Sequence, residues 1–352
     1  MRRILRHVAV LAIVCGLCFS WSRSAVAGRN DGRLDIYFID VEGGAATLLV
    51  TPAGESLLID SGYPDNSGRD RDRILKVAKG VADLKHIDHA AVTHWHRDHY
   101  GNHAALTTKI EIKNFWDRGI PDALRDDANF VDNVAEYRAA SQNQSKKLTP
   151  GDMVPLKSGD TSLSVKILTA SREVIPNTGA PNPYAKSHKP KRVDKSDNAA
   201  SLSFLVKFGK FTFLNCGDLS WNVEAKLVTP NNPIGRVDLF MVTHHGLPSS
   251  NNPALVLAID PQVAVMCNGP IKGGHPDTID VLRQVKSLEA LYQLHRNVKL
   301  KSDEQTPADY IANTEKTANC RGIHVKASVA PDGNSYTIQI GAGGKVRTYQ
   351  TR

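Results

Sequence analysis

Apolar and polar positions alternate over residues 34–39 (LDIYFI), and short apolar runs follow at 46–50 and 56–59 around the turn Thr51-Pro52-Ala53-Gly54. These patterns predict three strands. Apolar residues at 74, 75, 77, 78 and 81 recur at helical spacing and predict a helix over 74–81. A β-rich segment at 87–93 comes next. After a polar stretch, order returns with a hairpin (202–208 and 211–215, turning at Gly209-Lys210) and a short helix at 221–228. A buried strand at 237–242, a helix at 253–259, a strand at 263–267 and a helix at 278–291 follow. The tail from residue 323 reads as strands around a turn at Pro331-Asp332-Gly333-Asn334. Strands alternating with helices in two successive halves predict a layered α/β fold.

Residues 108–197 break this rhythm. They are polar, weakly periodic and rich in Asn, Asp, Lys and Pro, as an insertion would be. Within them Lys186, Lys189, Lys191, Arg192 and Lys195 form a basic cluster. A solvated loop is its plainer reading, and a patch for an anionic substrate or surface is the functional one.

The N-terminus bears on compartment. Arg2, Arg3 and Arg6 precede a nearly uncharged apolar stretch, and Ala25-Val26-Ala27 supplies small residues for cleavage. This is the pattern of a signal peptide over residues 1–27, with the mature chain secreted or periplasmic. The stretch falls short of the roughly 20 residues that span a bilayer. Nothing further along is long and apolar enough to be an integral membrane segment. Cleavage removes Arg2, Arg3, Arg6 and Arg23, lowering the formal charge from +8 to +4, too weak a balance to argue for nucleic acid alone. Cys216, Cys267 and Cys320 would remain, an odd number without a CxxC pair, so buried free thiols are expected rather than a disulfide framework.

The chemistry concentrates in His94-Trp95-His96-Arg97-Asp98-His99, on the loop leaving the 87–93 strand. Two histidines at i and i+2 can face one ion from an extended backbone, and Asp98 and His99 follow where the chain turns. Imidazole nitrogen with carboxylate oxygen suits zinc, and also manganese or iron.

This run is the HxHxDH signature of the metallo-β-lactamase-fold hydrolases, and the resemblance extends along the chain. Leu58-Ile59-Asp60-Ser61-Gly62 looks like the strand and turn that precede the signature there. Asn198-Ala199-Ala200-Ser201-Leu202, Cys216-Gly217-Asp218-Leu219, Val242-Thr243-His244-His245-Gly246 and Gly274-His275-Pro276 follow in order. That order resembles the hydrolase domain of ComEC/Rec2-type competence proteins over roughly residues 34–295. Where that branch reads Asp-Val-Gly-Gln-Gly-Asp, this chain has Asp40-Val41-Glu42-Gly43-Gly44-Ala45, keeping turn glycines and lacking the second acid.

The resemblance implies an αββα sandwich of two mixed sheets flanked by helices. The hydrolase domain would occupy residues 28–300, and a β-rich extension residues 301–352. It implies two divalent ions, zinc foremost (manganese or iron also fit): His94, His96 and one of His244 and His245, taken as His244, on one, Asp98, His99 and His275 on the other, and Asp218 between them. Asn198 stands near the place where other branches carry a further histidine. Asp98 and His245 are the expected catalytic residues, His245 as proton donor to the leaving group or as a substrate contact. The nucleophile would be a hydroxide activated by the two ions. The expected substrate is a small or polymeric phosphodiester or phosphate ester, nucleic acid included. A lactone or β-lactam hydrolase, and a non-catalytic binding module on the same fold, are the alternatives.

Overall fold

The computed structural model describes residues 31–64, 67–314 and 320–352. Residues 1–27, where a signal peptide is expected, lie outside the described residues. Among the latter, nine strands form one sheet. Its order is β19 (Arg347–Gln350), β18 (Ser335–Ile340), β17 (Val325–Val329), β1 (Leu34–Phe38), β2 (Thr47–Val50), β3 (Ser56–Ile59), β4 (His86–Ala91), β5 (Glu111–Asp117) and β6 (Lys146–Lys147). Eight strands form the second. There the order is β16 (Ile311–Asn313), β15 (Ala290–His295), β14 (Val263–Met266), β13 (Leu239–Met241), β11 (Phe211–Asn215), β10 (Ser203–Phe208), β7 (Leu163–Ala170) and β8 (Glu173–Val174). A small ribbon pairs β12 (Asn231–Asn232) with β9 (Ala180–Pro181).

Alternation along the strands explains the layers. Leu34, Ile36 and Phe38 of β1 point inward and share a core with Phe204 and Val206 of β10, Phe213 of β11 and Val263 and Val265 of β14. Facing the other way, Tyr37 of β1 and Ile39 just beyond it pack with Ile74 of α1 (Arg69–Leu75) and with Val77 and Ala78, which follow it in a π-helical stretch. Trp95 and Phe115 pack against Phe130, Val134 and Tyr137 beyond the same sheet. The outer face of the second sheet carries Leu227 and Val228, Leu255 and Val256, and Ile279 and Leu282. The helices in this packing are α4 (Phe130–Ala140), α5 (Trp221–Val228), α6 (Pro253–Ile259) and α7 (Pro276–Arg283). Two short helices, α2 (Arg97–Tyr100) and α3 (His103–Thr107), lie between β4 and β5. The result is the expected αββα sandwich: two large mixed sheets flanked by helices.

The parallel strands β13, β14 and β15 are hydrogen-bonded side by side. The first two are buried throughout, as their unbroken apolar runs require. The sequence pattern erred at their neighbour. The helix expected over 278–291 ends at Arg283, and residues 290–295 form β15 instead. Leu291, Tyr292 and Gln293 pair in parallel with Ala264, Val265 and Met266, so tertiary pairing overrides a local helical spacing.

The polar segment 108–197 also contributes structure. It supplies β5, parallel to β4, and β7, antiparallel to β10. The tail does likewise, since β17 pairs with β1 and β16 with β15.

The site-bearing loops all leave strand ends. Asp60 follows β3, the histidine run follows β4, Asp218 follows β11, His244 and His245 follow β13, and a glycine-rich loop follows β14. Loops are where polar side chains can converge over a rigid scaffold.

Candidate metal centre

Thr93 anchors the histidine run. Its backbone N–H donates to Asp60 Oδ1 and its hydroxyl to Asp60 Oδ2, both at 2.8 Å. Asp60 is fully buried, and Oδ2 also meets His99 Nδ1 at 2.8 Å. That contact turns the other nitrogen, His99 Nε2, toward the cluster. His245 is oriented in the same way, with Nδ1 3.1 Å from the Cys267 carbonyl oxygen. A ring whose Nδ1 proton is committed to an oxygen presents an unprotonated Nε2, the form that binds a metal.

These nitrogens face two carboxylates. His99 Nε2 lies 3.2 Å from Asp218 Oδ2 and 3.5 Å from Asp98 Oδ2. His245 Nε2 lies 3.3 Å and 3.4 Å from the same two atoms. Both nitrogens are buried and neither has a hydrogen-bond partner. Two imidazole nitrogens and two carboxylates converging on one buried point form a donor set that a divalent ion would satisfy. Ligand atoms of Asp98, His99, Asp218 and His245 all lie within 4.8 Å of one another. This mixed nitrogen and oxygen set fits a divalent ion such as zinc, manganese or iron.

A second group adjoins it. His94 Nε2 is 3.0 Å from His96 Nδ1 and 4.0 Å from Asp218 Oδ2, and His244 Nε2 is 3.4 Å from the same oxygen. His244 Nδ1 is held by the hydroxyls of Ser249 and Ser250, at 3.0 and 3.2 Å. Asn198 Nδ2 lies 3.5 Å from His244 Nε2. Asp218 thus stands between the two groups.

Seven of the expected residues are brought together: His94, His96, Asp98, His99, Asp218, His244 and His245. His275 does not join them. Its side chain is 44% exposed, and Nδ1 accepts the Asp277 N–H at the N-cap of α7. The place expected for it, beside Asp98 and His99, belongs to His245. The cause is backbone conformation. His244 and His245 both adopt left-handed angles, with φ of 54° and 53°, so the chain curls and delivers two successive rings to one side. Gly273 allows the curl, since a Cβ there would sit 2.1 Å from the His245 carbonyl oxygen. Enclosed at 2% exposure, His245 directs Nε2 at the carboxylates of Asp98 and Asp218.

The electrostatics follow from burying acids among imidazoles. Burial alone would raise Asp218, but His244, His245 and His99 outweigh it and hold the carboxyl well below its usual range. At Asp98, burial is likewise outweighed by His99, His245 and Lys272. Burial would strip the proton from His99, yet Asp218, Asp60 and Asp98 hold its pKa well above the ordinary value, so an ion bound at Nε2 would have to displace a proton there. Burial, helped by the neighbouring rings of His99 and His96, keeps His94 well below it. Burial also draws His244 down to about 4.

Some contributors were not singled out in the sequence. Asp60 had a faint signal, a lone acid between an apolar strand and Ser-Gly. Lys272, on the glycine-rich loop, reaches Asp98 Oδ2 at 2.5 Å and Tyr63 Oη at 3.2 Å. Asp126 holds His96 Nε2 at 2.7 Å. Nothing local marks these two.

Another four-residue cluster is Asp40, Glu42, His295 and Cys320. Arg73 bridges Asp40 (2.8 Å) and Glu42 (3.0 Å), Arg69 meets Glu42 (3.0 Å), and His295 Nε2 meets Asp40 (2.7 Å). Its charges are already matched by guanidinium groups. Among the described residues Cys216, Cys267 and Cys320 are free, and the first two are buried.

No curated protein sequence matches the chain. Solved structures resemble it at low identity and low TM-score. CmlA, a diiron beta-hydroxylase from Streptomyces venezuelae, is 18% identical with a TM-score of 0.42, over 73% of this chain and 52% of that one. The chain therefore spans about half the length of that protein. A putative metal-dependent hydrolase from Parabacteroides distasonis is 14% identical with a TM-score of 0.39, covering 75% of this chain and 95% of the other. MEM-A1, a subclass B3 metallo-beta-lactamase from a soil metagenome library, is 15% identical with a TM-score of 0.36, covering 73% and 81%. Residues 39–185 match the sequence model of the metallo-beta-lactamase superfamily, a span that includes the whole histidine run. Residues 39–185 thus carry a metallo-beta-lactamase superfamily domain, and later strands contribute Asp218, His244 and His245 to the candidate centre.

Proposed function

We propose that this protein is a secreted hydrolase of phosphodiesters or phosphate esters that works with two divalent ions. The observation that carries the reading is the pair of unpaired, buried nitrogens, His99 Nε2 and His245 Nε2, facing the carboxylates of Asp98 and Asp218. Asp98, His99, Asp218 and His245 would hold one ion. His94, His96 and His244, with Asp218 shared, would hold the other. Divalent ions held there supply Lewis acidity, which acidifies water and withdraws charge from a scissile ester.

The chain's own residues do the rest. Asp60 and the Cys267 carbonyl fix the ring tautomers of His99 and His245, and Ser249 and Ser250 orient His244. Lys272 and Tyr63, side by side next to Asp98, are placed to receive an anionic oxygen and offset its charge. The order of marks resembling the ComEC/Rec2-type branch favours phosphodiesters. Secretion rests on the pattern of residues 1–27.

Elemental analysis of the purified protein should find close to two ions per chain. The loaded protein should hydrolyse bis-p-nitrophenyl phosphate faster than a lactone or a β-lactam. A loaded protein inactive on every phosphodiester would defeat the substrate assignment, and a chain without bound metal would defeat the whole reading. N-terminal sequencing of exported protein should begin at Gly28.

A further inference from the structure

A cavity of about 270 Å³ lies beside the candidate centre, lined by Arg118, Arg125, Arg172, Lys195, Asp126 and Asp197 among others. Its walls connect directly to the histidine run. Asp126 bonds His96 Nε2 at 2.7 Å, and Asp197 Oδ2 accepts the Trp95 N–H at 2.6 Å.

Both acids are already engaged. Asp197 pairs with Arg118 through its other oxygen, and Asp126 also accepts the Asp197 N–H at 3.0 Å. The cations are not all matched. Arg172 donates only to the carbonyl oxygens of Asp194 and Ser196, at 2.7 Å each, so no carboxylate offsets its charge. Arg118 is nine-tenths buried, yet its Nε has no partner. Among the described residues, the side chains of Arg125 and Lys195 enter no hydrogen bond or ion pair. Four cations against two committed acids, around a space of this size, make a site for an oxyanion with donors in reserve.

The basic cluster of the sequence divides here. Lys191 lies 3.4 Å over the Trp221 ring and donates to the Pro248 carbonyl oxygen, whereas Lys195 faces the cavity.

We propose that this cavity binds a second phosphoryl group of the substrate, one that is not cleaved. The proposal rests on the phosphodiesterase reading and deepens it: the preferred substrate is a phosphodiester bearing another phosphate nearby. Pockets for drug-sized ligands start at about 300 Å³, so this one is sized for a single oxyanion and its attached atoms.

The test uses the metal-loaded protein and the double variant R125A/K195A. Both residues are exposed and unpaired, so the variant should fold normally. Two substrates are compared, the 5′-p-nitrophenyl ester of thymidine 5′-monophosphate and the same ester carrying a 3′-phosphate. The variant should raise KM for the 3′-phosphorylated ester by about tenfold, the loss of one good charge-assisted contact. Its kinetics on the ester with a single phosphate should be unchanged. An equal effect on both esters, or none on either, would overturn the proposal.

Inorganic phosphate titrated into wild type and variant separates this proposal from the reading beneath it. A wild type inactive on all phosphodiesters, with phosphate binding that the variant loses, would sink the hydrolase reading and keep the cavity. A variant that retains all phosphate binding would sink the cavity.

Discussion

Two clusters among the described residues bring four metal-competent side chains within 4.8 Å, and of these two one has the character of a metal centre. Around Asp98 and Asp218, the partners are imidazoles whose Nε2 atoms have no hydrogen bond, together with Lys272 on Asp98. Around Asp40 and Glu42, Arg73 and Arg69 occupy the carboxylates and His295 completes the network. Proximity of ligand-type residues is therefore a poor criterion. The difference lies in what faces the acids: guanidinium groups pair with Asp40 and Glu42, whereas Asp98 and Asp218 face mainly imidazole nitrogens, with Lys272 as the cation on Asp98. Glu224 is a third case. It is buried, accepts the Asn252 N–H at 2.7 Å and has no salt bridge among the described residues. Burial pushes it up to about 8, so it keeps its proton where the other acids lose theirs.

The largest effects should fall on the first cluster. Asp218→Asn or His245→Ala should cost at least one bound ion. Hydrolysis of bis-p-nitrophenyl phosphate should fall on the order of 10³-fold, about 4 kcal/mol of barrier. Elemental analysis and initial rates check this. Asp40→Asn should leave the metal content unchanged, and a lost ion there would erase the distinction between the clusters.

Arg73→Met should unfold the protein more easily without altering its metal content. Leaving buried Asp40 without its guanidinium should cost about 3–5 kcal/mol, read from urea denaturation. An additional ion bound by Arg73→Met would show that the guanidinium alone kept that cluster from being a metal centre.

Glu224 sharpens the comparison through pH. Its folded pKa of about 8 exceeds the ordinary 4.5, so the unfolded chain releases this proton first as pH rises. Its favourable contribution is fully present below pH 4.5, declines between 4.5 and 8, and is gone above. Glu224→Gln should remove that decline, gaining on the order of a few kcal/mol over wild type at pH 9 relative to pH 4.5. Denaturation of both proteins across this range gives the difference, and parallel curves would refute it.

Asp60→Asn should have the mildest consequence, because it alters the support of His99 and not a ligand. Metal affinity should weaken by about 10- to 100-fold, as measured by competition with a chelator. No change in affinity would mean that packing alone orients the His99 ring.

The two clusters also differ in how far a reader of the sequence could foresee them. His94, His96, Asp98 and His99 sit within six residues after a strand, so local spacing already tells that they converge. Asp218 was legible at the Gly-Asp ending a strand. The choice between His245 and His275 was not, because it turns on two consecutive left-handed residues that spacing does not encode. The Asp40 cluster draws on positions 40, 42, 73, 295 and 320, and no local pattern could join them. The fold shows the same division. Apolar periodicity located most strands and α5 and α6 closely, but it ran α7 on into β15, whose identity comes from pairing with β14.

Periodicity and the histidine run were enough to determine a layered α/β domain with metal-binding chemistry at a strand end, because both signals are local. Sheet order, the exclusion of His275, the closing of the Asp40 cluster by arginines and the cavity beside His96 arose only when distant segments met. Each depends on which charges and lone pairs end up facing one another in a space that excludes water, and chain order does not specify that.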